Sequence, residues 1–375
     1  MIEWLAAPLI IAGAAFIPKS KTSDKKKIEI VFKNRKVGIN KGESFQYPKL
    51  LKQHHNETHS SYIYSLPYGV PSEAFEILMP AISEALNKEA EYEFKDGVLK
   101  MNVFNEKLPE KWSYDESLIR PGTWEVPIGK NHTGILYHDF DKYPHMLIGG
   151  VTRFGKTVLL KEMFNTLILN NPDDVEFYIL DLKGGLEFYK YLGLPQVKQV
   201  ACDVYEAAEI LVGISEEIKQ LEINFRENGF TNIVDTPIKK RKFIIVDEGA
   251  ELAPDFVLGN KKKYAHFCQM ALSEISRISG GLGMRLIYCT QYPTKQSVSM
   301  SVKSNIVTRI SFIAAHQVAS KVLLDEAGAE KLPAIPGRAI YMVEKKRTVQ
   351  VPYIDDKMMF KMFEEKLKPL PRETR

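Results

Sequence analysis

The chain has 375 residues, of which 45% are hydrophobic and 26% are charged. This is the composition of an ordinary folded protein, and it excludes both wholesale disorder and a polytopic membrane protein. The net charge of +4 is too small to indicate a nucleic-acid partner by itself. The length allows two domains with short extensions. Three widely spaced cysteines without a C-x-x-C pair indicate reduced thiols in a cytoplasmic protein.

The first eighteen residues have the character of a short membrane anchor. The segment from Trp4 to Pro18 is uncharged, but at about 1.5 Å per residue a helix of this length reaches only roughly 22 Å of the ~30 Å hydrocarbon core. Nine Lys or Arg lie between Lys19 and Lys41, against two acids, so the positive-inside rule leaves the rest of the chain in the cytoplasm. We therefore predict an anchor over residues 1–18 at the cytoplasmic face of the cell membrane. The alternatives are a helix packed on the protein's own core and a frayed tail.

A small module is predicted after this segment. Residues 19–58 are basic and polar, with one strand-like alternation over Ile28–Phe32, and are interpreted as a loosely ordered connector. Residues 59–106 predict a small α+β module of the order βαββ. Its expected elements are a strand over 62–66, a helix over 71–87, and strands over 92–94 and 99–104 around the turn Asp96-Gly97. Residues 107–123, with Pro109, Pro121 and Gly122, are interpreted as a linker.

From 124 to 354 the chain predicts one large α/β domain, followed by a charged helix and tail over 355–375. Apolar runs alternate with helical stretches, which is typical of a mainly parallel sheet covered on both faces. The expected strands lie over 145–148, 176–180, 242–246, 286–289, 309–313 and 339–343.

A phosphate-binding loop follows the first of these strands. Residues 150–157 read G-V-T-R-F-G-K-T, between an apolar strand and the helical run V-L-L-K-E-M-F. This order of strand, G-x-x-x-x-G-K-T loop and helix turns main-chain N–H groups toward phosphates at a helix N-terminus. Lys156 is expected to bridge the β- and γ-phosphates, and Thr157 to hold Mg²⁺. The residues expected to contact ATP are Gly150, Val151, Thr152, Arg153, Phe154, Gly155, Lys156, Thr157 and Val158.

A second strand ends in the acid pair Asp247-Glu248, and a third ends at Thr290-Gln291. Asp247 is expected to hold the Mg²⁺ shell together with Thr157, and Glu248 to polarise the attacking water. An acid in the position of Glu248 favours hydrolysis over phosphoryl transfer to another acceptor. The Gln291 amide is a candidate sensor of the γ-phosphate, although a glutamine at a strand end is more often an ordinary loop residue.

On these motifs the segment from about 124 to 351 resembles the motor domain of FtsK/SpoIIIE-type DNA translocases, and among them the FtsK-like ATPases of Gram-positive conjugative elements and plasmids. Eight blocks occur in the family's order. They are P-I-G-K, P-H-M-L-I-G-G with the loop, I-L-D-L-K-G-G-L-E-F-Y, E-I-N-F-R, I-I-V-D-E-G-A-E-L, Y-C-T-Q-Y-P, S-N-I-V-T-R-I-S-F and S-K-V-L-L-D-E-A-G-A-E-K-L.

The resemblance implies a RecA-like fold and a hexamer with ATP at subunit interfaces, threading largely sequence-independent, double-stranded DNA through its pore. It also implies an arginine supplied in trans, for which Arg277 and Arg309 are the candidates, although either could be structural. Asp181 and Lys183 match the family's Asp-x-Lys strand end, where a packing or coupling role is as plausible as nucleotide contact.

Two departures refine the expected function. Only about 20 residues follow Asp355, too few for the family's C-terminal winged-helix domain, and the N-terminal apolar run is far shorter than a four-span anchor. We therefore expect an ATP-driven coupling protein that delivers mobile-element DNA to a conjugation channel, with a relaxase and secretion proteins as partners. The alternatives are a plasmid or phage replication, segregation or packaging motor, a motor acting on protein, and a nucleotide-gated docking adaptor.

Overall fold

The structure is a computed structural model that describes residues 22–71 and 74–367. The chain divides between Lys107 and Leu108 into two compact units, called here the N-terminal and C-terminal units. The anchor expected over residues 1–18 lies outside the described residues. Within the described ranges, no helix combines the length and apolar character needed to cross a membrane.

The N-terminal unit is a four-stranded antiparallel sheet with two helices packed on one face. Its elements are α1 (Asp24–Asn34), β1 (Ile39–Lys41), β2 (Ser44–Gln46), β3 (Lys49–His55), β4 (His59–Ser65), α2 (Ala74–Leu86), β5 (Ala90–Lys95) and β6 (Val98–Phe104). The strands of the sheet follow the order β3-β4-β6-β5, and Tyr62, Tyr64 and Met101 point into the core beneath the helices. The β5–β6 turn has positive φ at both Asp96 and Gly97, as a two-residue type I′ hairpin requires.

Two expectations for this unit are wrong. The strand expected over Ile28–Phe32 is part of α1, because Ser23 caps the helix by accepting from the Lys26 N–H and because Ile28 and Phe32, four residues apart, are buried on one helix face. The loosely ordered connector over 19–58 contains α1 and also β3, which pairs antiparallel with β4. The described part of this segment, residues 22–58, belongs to the same folded unit as β4, α2, β5 and β6.

The C-terminal unit is an α/β domain built on a ten-stranded sheet. Its strands are β7 (Glu125–Asn131), β8 (Gly134–Asp139), β9 (Met146–Gly149), β10 (Val175–Leu180), β11 (Val197–Ala201), β12 (Arg241–Val246), β13 (Met284–Thr290), β14 (Thr308–Phe312), β15 (Arg338–Met342) and β16 (Lys346–Gln350). Its helices are α3 (Lys156–Asn170), α4 (Val204–Asn228), α5 (Lys261–Ile278), α6 (Met300–Lys303), α7 (Gln317–Leu324) and α8 (Asp356–Lys366).

The sheet is mixed, which corrects the expectation of a mainly parallel one. In the order β11-β10-β12-β13-β9-β14-β15-β16-β7-β8, the first six strands are parallel and the last four join antiparallel. Both faces are covered, because Phe243 and Ile245 of β12 enter one core with α3 and α8, whereas Ile244 and Val246 enter the other with α4, α5 and α7. The continuous apolar runs of the central strands are explained by this double burial.

The segment expected as a linker over 107–123 packs onto the C-terminal unit. Tyr114 and Leu118 are buried in its core. The Tyr114 N–H donates to the Tyr353 carbonyl, and the Tyr353 N–H donates to the Trp112 carbonyl. This segment therefore forms one wall of the C-terminal unit from Leu108 onward.

Candidate nucleotide-binding site

The phosphate-binding loop lies between β9 and α3, as its sequence predicted. Gly150 and Gly155 have φ of +133° and +116°, and Arg153 has φ of +67°. A Cβ on Gly150 would come within 2.8 Å of the Phe312 Cβ, and one on Gly155 within 3.0 Å of the Phe312 Cε1. Conformation and space together require glycine at both positions.

The loop ends at the N-terminus of α3, where no side chain caps the first main-chain N–H groups. Uncapped N–H groups at a helix N-terminus attract anions. Lys156 is buried, and its Nζ donates to the carbonyls of Gly150, at 2.6 Å, and Val151, at 3.0 Å. Burial lowers the pKa of Lys156 to about 8 despite the opposing charge of Glu248. The ammonium therefore lies across the loop, where it can reach bound phosphates.

Asp247 lies at the carboxyl end of β12, between β10 and β13. Burial, with the negative charge of Asp181 as the next cause, raises the pKa of Asp247 to about 6. Asp181 accepts from the N–H groups of Glu187 and Phe188 through Oδ2, whereas its Oδ1 is buried without a hydrogen-bond partner. This excess of buried negative charge fits a divalent cation at the edge of the sheet.

In P-loop NTPases Mg²⁺ is held by the Ser or Thr of the loop and by an Asp at the end of a nearby strand, and Thr157 and Asp247 occupy these two positions. Among the described residues, no three His, Cys, Asp or Glu side chains cluster as metal ligands. Mg²⁺ prefers six oxygen ligands and usually keeps several waters. The Thr157 hydroxyl and nucleotide phosphates would therefore be its direct ligands, with Asp247 holding the coordinated water.

Glu248 is 1% exposed and is surrounded by donors. Its Oε1 accepts from the Thr290 hydroxyl at 2.9 Å and the Gln291 N–H at 3.0 Å. Its Oε2 accepts from the Lys183 Nζ at 3.2 Å and from the same Gln291 N–H at 3.1 Å. The sequence did not predict the contacts of Thr290 and Lys183 with Glu248, because they depend on β10 and β13 flanking β12.

A cavity of about 570 Å³ lies beside the phosphate-binding loop. Thr152, Arg153, Gly155, Lys156, Thr157 and Val158 line it together with Gln291. Trp112, Pro336, Gly337 and Tyr353 also line it and offer aromatic and apolar surface to a nucleoside. No sequence pattern predicted these four residues, because they come from separate segments of the chain and Trp112 was expected to lie in a linker.

Some predicted site residues are placed elsewhere. The Phe154 side chain packs against the core, while Gly150 and Val151 line a second, smaller cavity of about 230 Å³. Arg309 is nearly buried and forms an ion pair with Asp325. Arg277 is exposed in the last turn of α5. Neither arginine lines the 570 Å³ cavity, and the role in trans expected for one of them stays a prediction.

The glycine loop, the buried lysine and the acid pair at the adjacent strand end define a P-loop ATPase. Residues 115–339 match the profile of the FtsK/SpoIIIE family, and the chain belongs to this family. The DNA translocase FtsK of Tropheryma whipplei is 27% identical over 218 residues, which cover 55% of this chain and 29% of that protein. FtsK of Clostridium tetani is 30% identical over 218 residues, covering 55% and 28% respectively. The chain thus spans less than a third of the length of these relatives.

Solved structures share the fold. The pCW3 conjugation coupling protein TcpA, in its monomer form with ATPγS, has a TM-score of 0.66 at 22% identity, covering 91% of this chain and 99% of TcpA. The cytoplasmic domain of the type VII secretion ATPase EccC of Thermomonospora curvata has a TM-score of 0.57 at 22% identity, covering 69% of this chain and 33% of that one. The expected α/β fold is confirmed, and its large sheet, which is mixed and not mainly parallel, resembles those of P-loop ATPase motors.

Proposed function

We propose that this chain hydrolyses ATP to translocate DNA and that it serves as a coupling protein for the DNA of a mobile element. The observation that carries the proposal is the convergence of the phosphate-binding loop, Asp247-Glu248 and Gln291 at one edge of the sheet, within the segment that matches the FtsK/SpoIIIE family. Carboxyl ends of neighbouring parallel strands form the ligand-binding edge of an α/β sheet.

The chemistry follows from the placement of these residues. The N–H groups of the loop bind the phosphates of ATP, and Lys156 pairs with the β- and γ-phosphates. When bound, Mg²⁺ neutralises phosphate charge. Glu248 accepts a proton from the attacking water, whose oxygen bonds to the γ-phosphorus as the bond to the β–γ bridging oxygen breaks. Gln291 is well placed to report the loss of the γ-phosphate, because its N–H already contacts Glu248.

The proposal extends to DNA, assembly and location. The likeness to TcpA over 91% of the chain supports a conjugative role rather than a chromosomal one. We propose a hexamer that grips the phosphate backbone of double-stranded DNA with little sequence preference, so its binding weakens as salt rises. Residues 1–18 would hold it at the cytoplasmic face of the membrane, and a relaxase and channel proteins would be its partners. A replication, segregation or packaging motor is the alternative within the same chemistry.

A second candidate is an ATPase that moves protein. The likeness to the secretion ATPase EccC, with a TM-score of 0.57, favours it specifically. Its substrate would be an unfolded or signal-bearing polypeptide rather than DNA.

One assay separates the two. ATP turnover by the full chain is measured without DNA, with double-stranded DNA and with single-stranded DNA, beside the Lys156→Ala variant. Stimulation by DNA that is lost in Lys156→Ala and weakens with salt supports the translocase. Hydrolysis that depends on Lys156 but ignores both forms of DNA supports the protein-moving ATPase instead.

A further inference from the structure

Lys183 contacts the carboxylate that the proposed reaction needs as a base. It follows β10 in the segment Asp181-Leu182-Lys183, and its Nζ lies 3.2 Å from the Glu248 Oε2. Glu248 is 1% exposed, whereas the Lys183 side chain is 34% exposed. The contact thus joins a buried acid to a lysine that reaches solvent.

The acceptor sites of Glu248 are largely filled by the protein. A carboxylate offers about four lone-pair sites. Thr290, Lys183 and the Gln291 N–H, which contacts both oxygens, occupy them, and the Ala250 N–H adds a longer contact of 3.4 Å to Oε1. To take a proton from water, Glu248 must release one of these donors.

Only one of these four donors sits on a flexible, partly exposed side chain. The Thr290 hydroxyl is fully buried at the end of β13, and the other two donors are main-chain N–H groups. Lys183 precedes Gly184 and Gly185, whose φ angles are +77° and +73°. Glycine in this conformation lets the chain turn sharply beside the site. Lys183 is therefore the donor that can leave without disturbing the sheet.

We propose that Lys183 is a positioning residue that restrains Glu248 by occupying an acceptor site of its carboxylate, so that water activation requires Lys183 to swing away. This inference rests on the proposed ATP hydrolysis and adds a control point to it. The restraint limits turnover in the absence of the DNA or partner that activates the motor. Because Lys183 does not line the cavity beside the loop, the proposed restraint acts on turnover and not through direct contact with the nucleotide.

The test compares ATP turnover by full-length wild type, Lys183→Met and Lys183→Arg without DNA. Methionine keeps the apolar stem and removes the donor, so we expect turnover to rise about three- to tenfold, with the KM for ATP and the affinity for a fluorescent ATP analogue unchanged. Arginine retains a donor and a charge, and turnover should stay near that of wild type. Lys183→Leu is a second variant that removes the donor, with the same expected direction.

Two controls make the result specific. Lys190→Met deletes an ion pair with Asp356 from a nearby segment and should leave turnover unchanged. Glu248→Gln in the Lys183→Met background should abolish the gain. Unchanged or reduced turnover in Lys183→Met, a raised KM, or a gain that survives Glu248→Gln would overturn the restraint. If wild type ignores DNA while Lys183→Met still gains turnover, the translocase proposal fails and the restraint stands.

Discussion

Replacing Asp141 with Asn should destabilise the C-terminal unit strongly, because two buried arginines depend on its carboxylate. The Arg285 Nη2 donates to the Asp141 Oδ1 at 2.7 Å, and Arg241 donates to Oδ1 at 2.8 Å and Oδ2 at 3.1 Å. The side chains of Arg285 and Arg241 are 1% and 5% exposed. These arginines stand at or near the starts of β12 and β13, whose other ends carry Asp247 and Thr290.

The expected loss of folding free energy arises because two buried guanidinium groups lose the carboxylate that pairs with them. Breaking a buried pair costs about 3–5 kcal/mol, and we expect the lower end, ~3 kcal/mol, because Asp141 itself is 25% exposed. In a domain of this size each kcal/mol lowers Tm by about 2–4 °C, so the fall should be about 6–12 °C.

The effect should also depend on pH in a defined direction. Burial raises the pKa of Asp141, but hydrogen bonds and charge from Arg241 and Arg285 outweigh burial and hold the pKa below its ordinary value. A carboxyl whose pKa is lowered by folding contributes stability above its unfolded pKa of about 3.9. The difference between wild type and Asp141→Asn should therefore be complete at neutral pH and vanish as pH falls through the folded pKa.

Calorimetric unfolding of the full chain at several pH values measures both the fall in Tm and its pH dependence. The transition of the C-terminal unit is followed separately from that of the N-terminal unit. Asp173→Asn is the matched control, since Asp173 is exposed and its replacement should shift Tm by less than about 1 °C. The reasoning about buried charge would be refuted if Asp141→Asn lowered Tm by less than about 2 °C, or if the control variant lowered Tm by the same amount.

Three further predictions concern the site and its surroundings. Tyr353→Ala removes an aromatic wall of the cavity and should raise the KM for ATP about tenfold with little change in kcat, whereas the exposed Tyr189→Ala should change neither. Burial raises the pKa of Glu162 well above its ordinary value, so wild type should lose stability as pH rises from the unfolded pKa of about 4.3 toward the folded pKa. Urea unfolding of Glu162→Gln should show no such loss. If Arg277 acts on the nucleotide of a neighbouring subunit, Arg277→Ala should lower kcat without weakening nucleotide binding, and mixing it with Lys156→Ala subunits should restore part of the ATP turnover. Arg309→Ala should mainly lower Tm, because it loses the ion pair with Asp325.

The sequence predicted the phosphate-binding loop and the acid strand because their requirements are local. Gly150 and Gly155 are dictated by φ angles and contacts within a few residues or with one neighbouring strand. The central strands were equally predictable, since burial on both faces leaves a run such as Phe243 to Val246 apolar throughout.

The features that the sequence did not predict correctly have two physical origins. In α1 the alternation of Ile28 and Ile30 indicated a strand, but the spacing of Ile28 and Phe32 and the cap at Ser23 fix a helix, and both signals were present in the sequence. The edge strand β3 is mostly exposed, so it carries no apolar pattern to detect. The contacts of Lys183 and Thr290 with Glu248 arise from strand order, which no local pattern encodes.

The cavity lies where the parallel and antiparallel parts of the sheet meet, so both parts contribute residues to its lining. β14 pairs parallel with β9, which leads into the phosphate-binding loop, and antiparallel with β15, which Gly337 precedes. The Gly337 N–H donates to the Phe154 carbonyl, so a main-chain hydrogen bond joins the loop to the segment just before β15. In the proposed function, groups at the ends of the parallel strands act on the phosphates, while Gly337 and the segment around Trp112 line the cavity beside the nucleoside. The hydrogen bond between Gly337 and Phe154 would then let the fit of the nucleoside influence the loop directly.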